Sequence, residues 1–280
     1  MANDVAVTGN GKSIAYYNEV DPIAAQWLRN LIAAGLIAPG VVDERSIEDV
    51  RPGDLAGFTQ CHFFAGISGW SLALRLAGWP DDRPVWTGSC PCQPFASAGK
   101  GAGFDDPRHL WPSFGYLIQE RRPSAVFGEQ VAGADADPWI DLVHADLEAM
   151  DYTFGAVPFP SAGVGAPHIR DRVYWLGHTN SPRPQGHARH GRQKKWQGTP
   201  RPTASAGLSV HPGPVNGYWK DADWLMCRDG KRRAVESGTF PLAHGIPARV
   251  GRMRAYGNAI NVWAAVTFIS AAMEALEVAA

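Results

Sequence analysis

Phe58-Thr59-Gln60-Cys61-His62-Phe63-Phe64-Ala65-Gly66-Ile67-Ser68-Gly69-Trp70-Ser71-Leu72-Ala73-Leu74-Arg75-Leu76-Ala77-Gly78 is the stretch on which the fold turns. The run 58–64 predicts a buried strand, and it passes directly into Ala65-Gly66-Ile67-Ser68-Gly69. Trp70–Ala77 then reads as a helix closed by Gly78. Strand, glycine turn and helix in succession form the repeating unit of a doubly wound sheet. The turn lets a ligand approach the backbone, and the helix N-terminus offers free N–H groups. On its own such a turn is as easily a plain tight loop.

Upstream, 13–20 reads as a buried strand, and Asp21-Pro22 opens a helix with an N-cap oxygen followed by Pro at the first helical position. Ile23, Trp27, Leu28, Leu31 and Ile32 recur at helical spacing, and Gly35 closes the helix. A short strand is expected near Val41–Ile47, followed by a polar crossing through Arg51-Pro52-Gly53-Asp54. Downstream, Pro84–Thr87, Ala125–Phe127 and Val173–Leu176 read as strands, and Asp137–Met150 and Asn261–Leu276 as helices. This alternation predicts an α/β fold, a doubly wound, mostly parallel sheet whose ligands sit at the carboxyl ends of the strands.

The composition, 45% hydrophobic and 19% charged over 280 residues, is that of a folded chain with a substantial core. Neither a membrane-length apolar run nor a signal-peptide pattern is present, so a cytoplasmic protein is expected. Cysteines 61, 90, 92 and 227 form neither a disulfide framework nor a metal-ligand spacing, so no metal is expected. The net charge of −1 conceals an asymmetry. From His178 to Arg233 eleven Lys/Arg face three acids, a local charge of +8 that leaves −9 for the rest. That segment is rich in Pro, Gly, His and Arg, with Trp196, Tyr218, Trp219 and Trp224 interspersed. A basic insert on an acidic body suits a partner made of phosphates, although a solvated loop has the same composition.

Three further segments carry chemistry. Cys92 lies just beyond a predicted strand, between Pro91 and Pro94. A thiolate there can attack an electron-poor ring carbon. Cys90 reads as a buried, inert thiol. Glu129 is expected at the end of the next strand, where burial would hold its carboxyl partly protonated and able to donate to a ring nitrogen. In His168-Ile169-Arg170-Asp171-Arg172, alternate residues share a side, so Arg170 and Arg172 face a phosphate or a base edge together unless they form a structural network with Asp171.

Together these segments resemble the DNA cytosine C5 methyltransferase family, of phage or bacterial type. Phe64, Ala65, Gly66, Ile67 and Gly69 look like its cofactor loop, and Pro91-Cys92-Gln93 its nucleophile motif. Glu129-Gln130-Val131 is similar to its Glu-Asn-Val, 168–172 to its Gln-x-Arg-x-Arg, and Gly257-Asn258-Ala259-Ile260 to its final Gly-Asn motif. The resemblance implies a Rossmann-like class I methyltransferase fold and S-adenosyl-L-methionine as cofactor. It implies duplex DNA as substrate, with a base flipped out of the stack. Cys92 would add to C6 of cytosine, Glu129 would hold N3, Arg172 O2, and Arg170 would lie nearer the phosphates. Pro91 and Asn258 join the cofactor-side residues.

One part is out of the family order. Tyr17-Asn18-Glu19-Val20 resembles the motif that grips the cofactor ribose, with Glu19 as the acid and Val20 against adenine. Arg45-Ser46-Ile47 resembles the following adenine motif, normally Gly-Asp-Ile, with Ile47 as contact. Both precede the glycine loop, which implies a circular permutation. Ser46 stands where an acid belongs, so that role passes to Asp49, Asp43 or backbone. Ser68 replaces a Gly, Gln130 an Asn, and Ala96 a Ser. The expected division is a catalytic domain of 1–177 completed by 241–280, with a small irregular target-recognition region at 178–240. DNA contacts are expected from Gln93, Arg189, Arg192, Lys194, Lys195, Arg228, Lys231 and Arg232. The implied protein is a monomeric DNA (cytosine-5-)-methyltransferase of a restriction-modification or phage system, with no obligate protein partner. Two rivals are an RNA (tRNA) cytosine methyltransferase and a catalytically silent DNA-binding relative.

Overall fold

The computed structural model describes residues 14–91, 109–133, 136–166, 169–179, 223–226, 230, 232–235 and 259–279. Cys92, Gln93, Asn258, Arg189, Arg192, Lys194, Lys195, Arg228 and Lys231 lie outside the described residues, and of Arg232 only the backbone is described.

The chain opens with β1 (Ala15–Asn18), α1 (Pro22–Ala33) and β2 (Gly40–Asp43). Asp21 caps α1 as its position before Pro22 predicts, its side chain accepting from the N–H groups of Ile23 and Ala24. Gly35 ends the helix region at φ +68°, where a side chain would be strained. The strand expected to reach Ile47 stops at Asp43. The Asp43 carboxylate receives N–H groups from Arg45 backbone and side chain, which turns the chain, and Ile47–Asp49 forms a 3-10 turn capped by Ser46.

Next come β3 (Gln60–Phe63), α2 (Gly69–Leu76) and β4 (Val85–Gly88). They are followed by α3 (Trp111–Arg121), β5 (Ala125–Val131), α4 (Asp137–Ala149), β6 (Thr153–Pro160) and β7 (Asp171–His178). A separate antiparallel pair, β8 (Asp223–Met226) and β9 (Arg232–Val235), lies inside the basic segment, and α5 (Val262–Ala279) closes the chain.

The seven-stranded sheet has the order β2-β1-β3-β4-β5-β7-β6. The first five strands are mutually parallel, and β7 is antiparallel to both β5 and β6. Alternate residues divide the core between two faces. Tyr16, Cys61, Phe63, Trp86, Val126 and Trp175 meet the Trp111, Phe114, Trp139 and Leu147 side chains of α3 and α4. Val85, Ala125, Phe127 and Tyr174 meet α2 and α5, while Ala15 and Tyr17 pack on Leu28 of α1. Helices thus cover both faces, as the doubly wound reading requires. Neither α3 nor β6 is anticipated from the sequence. The described residues contain no helix long and apolar enough to cross a membrane.

Candidate functional site

At the carboxyl ends of β1, β3, β4 and β5 the chain leaves a cleft of about 440 Å³. Every described residue expected to act in catalysis or to touch the cofactor lines it: Glu19, Val20, Ile47, Phe64, Ala65, Gly66, Ile67, Gly69, Pro91, Glu129, Arg170 and Arg172. They come from five strand ends and the turn after β2, which only the sheet order brings together.

One wall belongs to β1 and β3. The register Asn18↔Phe63 places the residues that follow, Glu19 and the 64–69 loop, side by side. Glu19 Oε2 accepts from Gly66 N at 2.7 Å, and Oε1 from Asp21 N at 2.9 Å. Burial pushes the Glu19 carboxyl above its ordinary range, against those two hydrogen bonds. The loop is tightly wound, with Phe64, Gly66 and Ser68 all at positive φ (51°, 55° and 71°). Gly66 tolerates this freely. Ser68, standing where a glycine would be relaxed, carries backbone strain of roughly 1–3 kcal/mol. Val20 and Ile23 leave apolar surface in the cleft, 67% and 50% exposed.

Neither carboxylate named in place of the acid missing at Ser46 reaches the cleft. Asp43 is held by Tyr16 Oη at 2.7 Å and by Arg45, and neither Asp43 nor Asp49 lines the cleft. The lining at that end includes Arg45 and Ser46, whose hydroxyl is hydrogen-bonded to Glu48.

The other wall belongs to β5 and β7. Glu129 is not past a strand end but inside β5, because β7 supplies an antiparallel partner as far as Val131. Its carboxylate, 7% exposed, meets Arg172 Nε at 2.7 Å and hydrogen-bonds Ser89, whose Oγ also accepts from Trp70 Nε1 at 3.0 Å. Burial pushes the Glu129 carboxyl up, while Arg172 and Arg170 pull it down; desolvation is the larger effect and the direction is upward. Arg170, at φ 40°, also reaches the Ala259 carbonyl at 2.6 Å and so ties the C-terminal segment to the cleft.

Between the walls, β4 runs out through Ser89 and Cys90 to Pro91, the residue before Cys92. Cys90 is buried, and burial pushes its thiol up, as an inert cysteine requires. Among the described residues no group of three or more His, Cys, Asp or Glu side chains is arranged to hold a metal ion.

Two residues in this site are given no role by the motif reading. Ser89 links Glu129 to Trp70, and its signal is its position one step before Cys90 on a strand adjacent to β5. Gln130, also in the lining, is 2% exposed.

Residues 80–206 match the family model described as C-5 cytosine-specific DNA methylase. Among curated relatives, the chain is 30% identical over 167 residues to the Type II methyltransferase M.HhaI of Haemophilus parahaemolyticus, covering 46% of this chain and 51% of that one. It is 34% identical over 100 residues to the Type II methyltransferase M1.ScrFI of Lactococcus lactis subsp. cremoris, covering 34% and 26%. The chain therefore spans about half, or less, of the length of these relatives. Among solved structures, a Spodoptera frugiperda DNMT2 variant superposes with a TM-score of 0.41 at 16% identity, over 62% of this chain and 45% of that one. A putative DNA modification methyltransferase of an Escherichia coli prophage gives 0.37 at 13% identity, over 60% and 47%. The stretch that matches the C-5 cytosine-specific DNA methylase model, residues 80–206, is the part of the molecule that holds Glu129, Arg172 and the Pro91-Cys92 junction.

Proposed function

We propose that the protein transfers a methyl group from S-adenosyl-L-methionine to C5 of cytosine in duplex DNA, with Cys92 as nucleophile. The observation that carries this is the sharing of one cleft by a buried, upward-shifted Glu129 paired with Arg172 and by the Glu19–Gly66 wall, with Pro91 leading to Cys92 between them.

The cofactor-side wall fits such a donor. Each Glu19 oxygen accepts one backbone N–H and keeps a lone pair for a ribose hydroxyl. Val20, Ile23 and Ile47 offer apolar surface to a flat ring. Ser68 caps α2 with no side-chain hydrogen bond, so the positive end of that helix faces the loop unneutralised. When bound, the cofactor supplies an electrophilic methyl group. The strand order of this wall supports a circular permutation, since Glu19 precedes the glycine loop in the chain yet bonds to it.

On the base side the chain's residues act in concert. The Cys92 thiolate forms a bond to C6, and the electron pair displaced toward C5 is stabilised because Glu129 donates a hydrogen bond at N3. Arg172 holds O2 and, through its contact with Glu129, the orientation of the acid. C5 gains the methyl group and loses its proton, and the electrons of that C–H bond expel the thiolate. Ring faces are inaccessible within a duplex, so the cytosine must be flipped out. The 178–240 segment, with its strongly basic stretch from His178 to Arg233 and the β8–β9 pair, is the target-recognition region, and 1–177 with 241–280 forms the catalytic domain.

Bisulfite sequencing of DNA from cells expressing the protein tests this and returns the target site. A covalent adduct with DNA containing 5-fluorocytosine at that site, lost in Cys92→Ser, is the expected companion result. Methyl transfer to tRNA but not to duplex DNA would overturn the DNA assignment. Binding of duplex DNA without any adduct or methylation would overturn the enzymatic one.

A further inference from the structure

Contacts from opposite sides of the cleft meet at Ala259 and Ile260. Arg170, the residue before β7, donates from Nη2 to the Ala259 carbonyl at 2.6 Å. The next side chain, Ile260, sits directly over Gly69: a Cβ built on that glycine would lie 2.5 Å from Ile260 Cγ1. Gly69 ends the 64–69 loop and begins α2, so Ile260 occupies room that only a residue without a side chain leaves. Beyond Ile260 the chain is anchored at once. Asn261 accepts from Ala264 N through Oδ1 at 3.1 Å and from Ala265 N through its carbonyl at 3.0 Å, at the start of α5. Arg170, Ala259, Ile260 and Gly69 all line the cleft.

This two-residue strap runs from the Glu129–Arg172 wall to the Glu19–Gly66 wall. Its arginine end is held under strain. Arg170 has φ 40°, a conformation side chains rarely adopt, and its carbonyl receives Ser161 N at 3.4 Å and Ser161 Oγ at 3.5 Å. Such backbone persists only where the surroundings over-determine it. One nitrogen of the guanidinium is thereby committed to the protein's own backbone and not to a phosphate. We propose that Arg170 is a positioning residue for the cofactor loop, in place of the phosphate-side role its motif implies. It holds Ala259 so that Ile260 stays seated on Gly69, which fixes the start of α2, where helix N–H groups lack partners within the helix.

This rests on reading the Glu19–Gly66 wall as the cofactor site, and the measurements separate the two. Calorimetry with S-adenosylhomocysteine, without DNA, compares wild type, Arg170→Met, Arg170→Lys, Ile260→Ala and the double variant Arg170→Met/Ile260→Ala. The thermal midpoint of each free protein is recorded. Binding of a non-specific duplex without cofactor is followed against salt concentration. Arg170→Met is expected to weaken S-adenosylhomocysteine binding about 5- to 10-fold, the worth of one net hydrogen bond, and Arg170→Lys, which keeps a donor, to weaken it less. The double variant is expected to match the weaker-binding single variant, because both changes break one chain of contacts. The salt slope for the duplex is expected to stay at its wild-type value. Affinity for S-adenosylhomocysteine within about twofold of wild type in Arg170→Met, or losses that multiply in the double variant, overturns the assignment. So does a salt slope shallower by about one, the signature of a lost phosphate contact. Should Arg170→Met show no thermal transition, Arg170→Lys and Ile260→Val carry the same comparison. Failure of wild type to bind S-adenosylhomocysteine removes the reading beneath it.

Discussion

Acidification is expected to charge a ring that the fold keeps neutral. His62 is 2% exposed in β3, stacked on Tyr17 with ring centroids 4.9 Å apart. Its Nε2 lies 3.3 Å from Gln60 Oε1, and its Nδ1 lies 2.9 Å from Thr87 Oγ1. The amide oxygen only accepts, so Nε2 carries the proton and Nδ1 accepts from the Thr87 hydroxyl. Burial pulls the imidazole pKa from 6.5 down to about 3. The folded value lies below the unfolded one, so the stability tied to His62 is whole above pH 6.5 and is lost as pH falls toward 3. At 1.36 kcal/mol per unit, about 2 kcal/mol is lost by pH 5 and about 3 kcal/mol by pH 4. Urea unfolding of wild type and His62→Gln at pH 8, 6.5 and 5 isolates this contribution from that of other groups. The variant is expected to lose about 2 kcal/mol less between pH 8 and pH 5. Parallel losses in both proteins would refute the neutral-ring argument. His62 joins β3 to β4 directly and to β1 through Tyr17, and because the folded ring stays neutral down to about pH 3, the loss comes from protonation of the unfolded chain.

Other perturbations follow from equally local geometry. Gly128→Ala places a Cβ about 2.0 Å from the Trp175 indole, and overpacking of this kind costs about 1–3 kcal/mol or more, read as a lower urea midpoint. The same substitution displaces the neighbouring Glu129, so 5-fluorocytosine adduct formation should slow even at temperatures where the variant stays folded. Asp21→Ala removes the acceptor for Ile23 N and Ala24 N at the start of α1 and is expected to cost about 1 kcal/mol by the same measurement. Glu19→Ala leaves Gly66 N and Asp21 N without their acceptor, and calorimetry with S-adenosylhomocysteine should show affinity reduced at least about tenfold. Unchanged affinity would remove Glu19 from the cofactor site.

Much of this architecture is legible along the chain because its signals are local. Asp21-Pro22 caps a helix wherever it stands, and the 58–78 stretch carries its strand, turn and helix within one short window. What the sequence hides depends on distant partners. β6 contains Gly155, Pro158 and Pro160 and is largely exposed, so neither propensity nor alternation marks it; it is a strand because β7 lies beside it. The same antiparallel neighbour extends β5 past Phe127 and turns Glu129 from an expected strand-end residue into one inside the strand. In α3, Trp111, Phe114, Leu117 and Ile118 share a buried stripe that was readable, but Pro112 and Gly115 weaken the helical pattern. Gln130 was visible only as a departure from a motif, and its unpaired Nε2 is known only from the packing around it.

The order in which the strands are joined also sets the order in which the site is made during translation. β1, α1, β2, β3 and α2 leave the ribosome as one uninterrupted stretch, Ala15 to Leu76, and that stretch holds Glu19, Ser46, Ile47 and the 64–69 loop. Its strands β2, β1 and β3 are adjacent in the sheet, so they can pair before anything later is synthesised. The opposite wall has no such independence. Glu129 waits for Arg172 more than forty residues later, and the cover over Phe127 and Tyr174 waits for α5 at Val262–Ala279. A nascent chain of this protein thus acquires the Glu19–Gly66 wall first and the Glu129–Arg172 wall last, so the buried carboxyl meets its arginine only once most of the polypeptide has emerged.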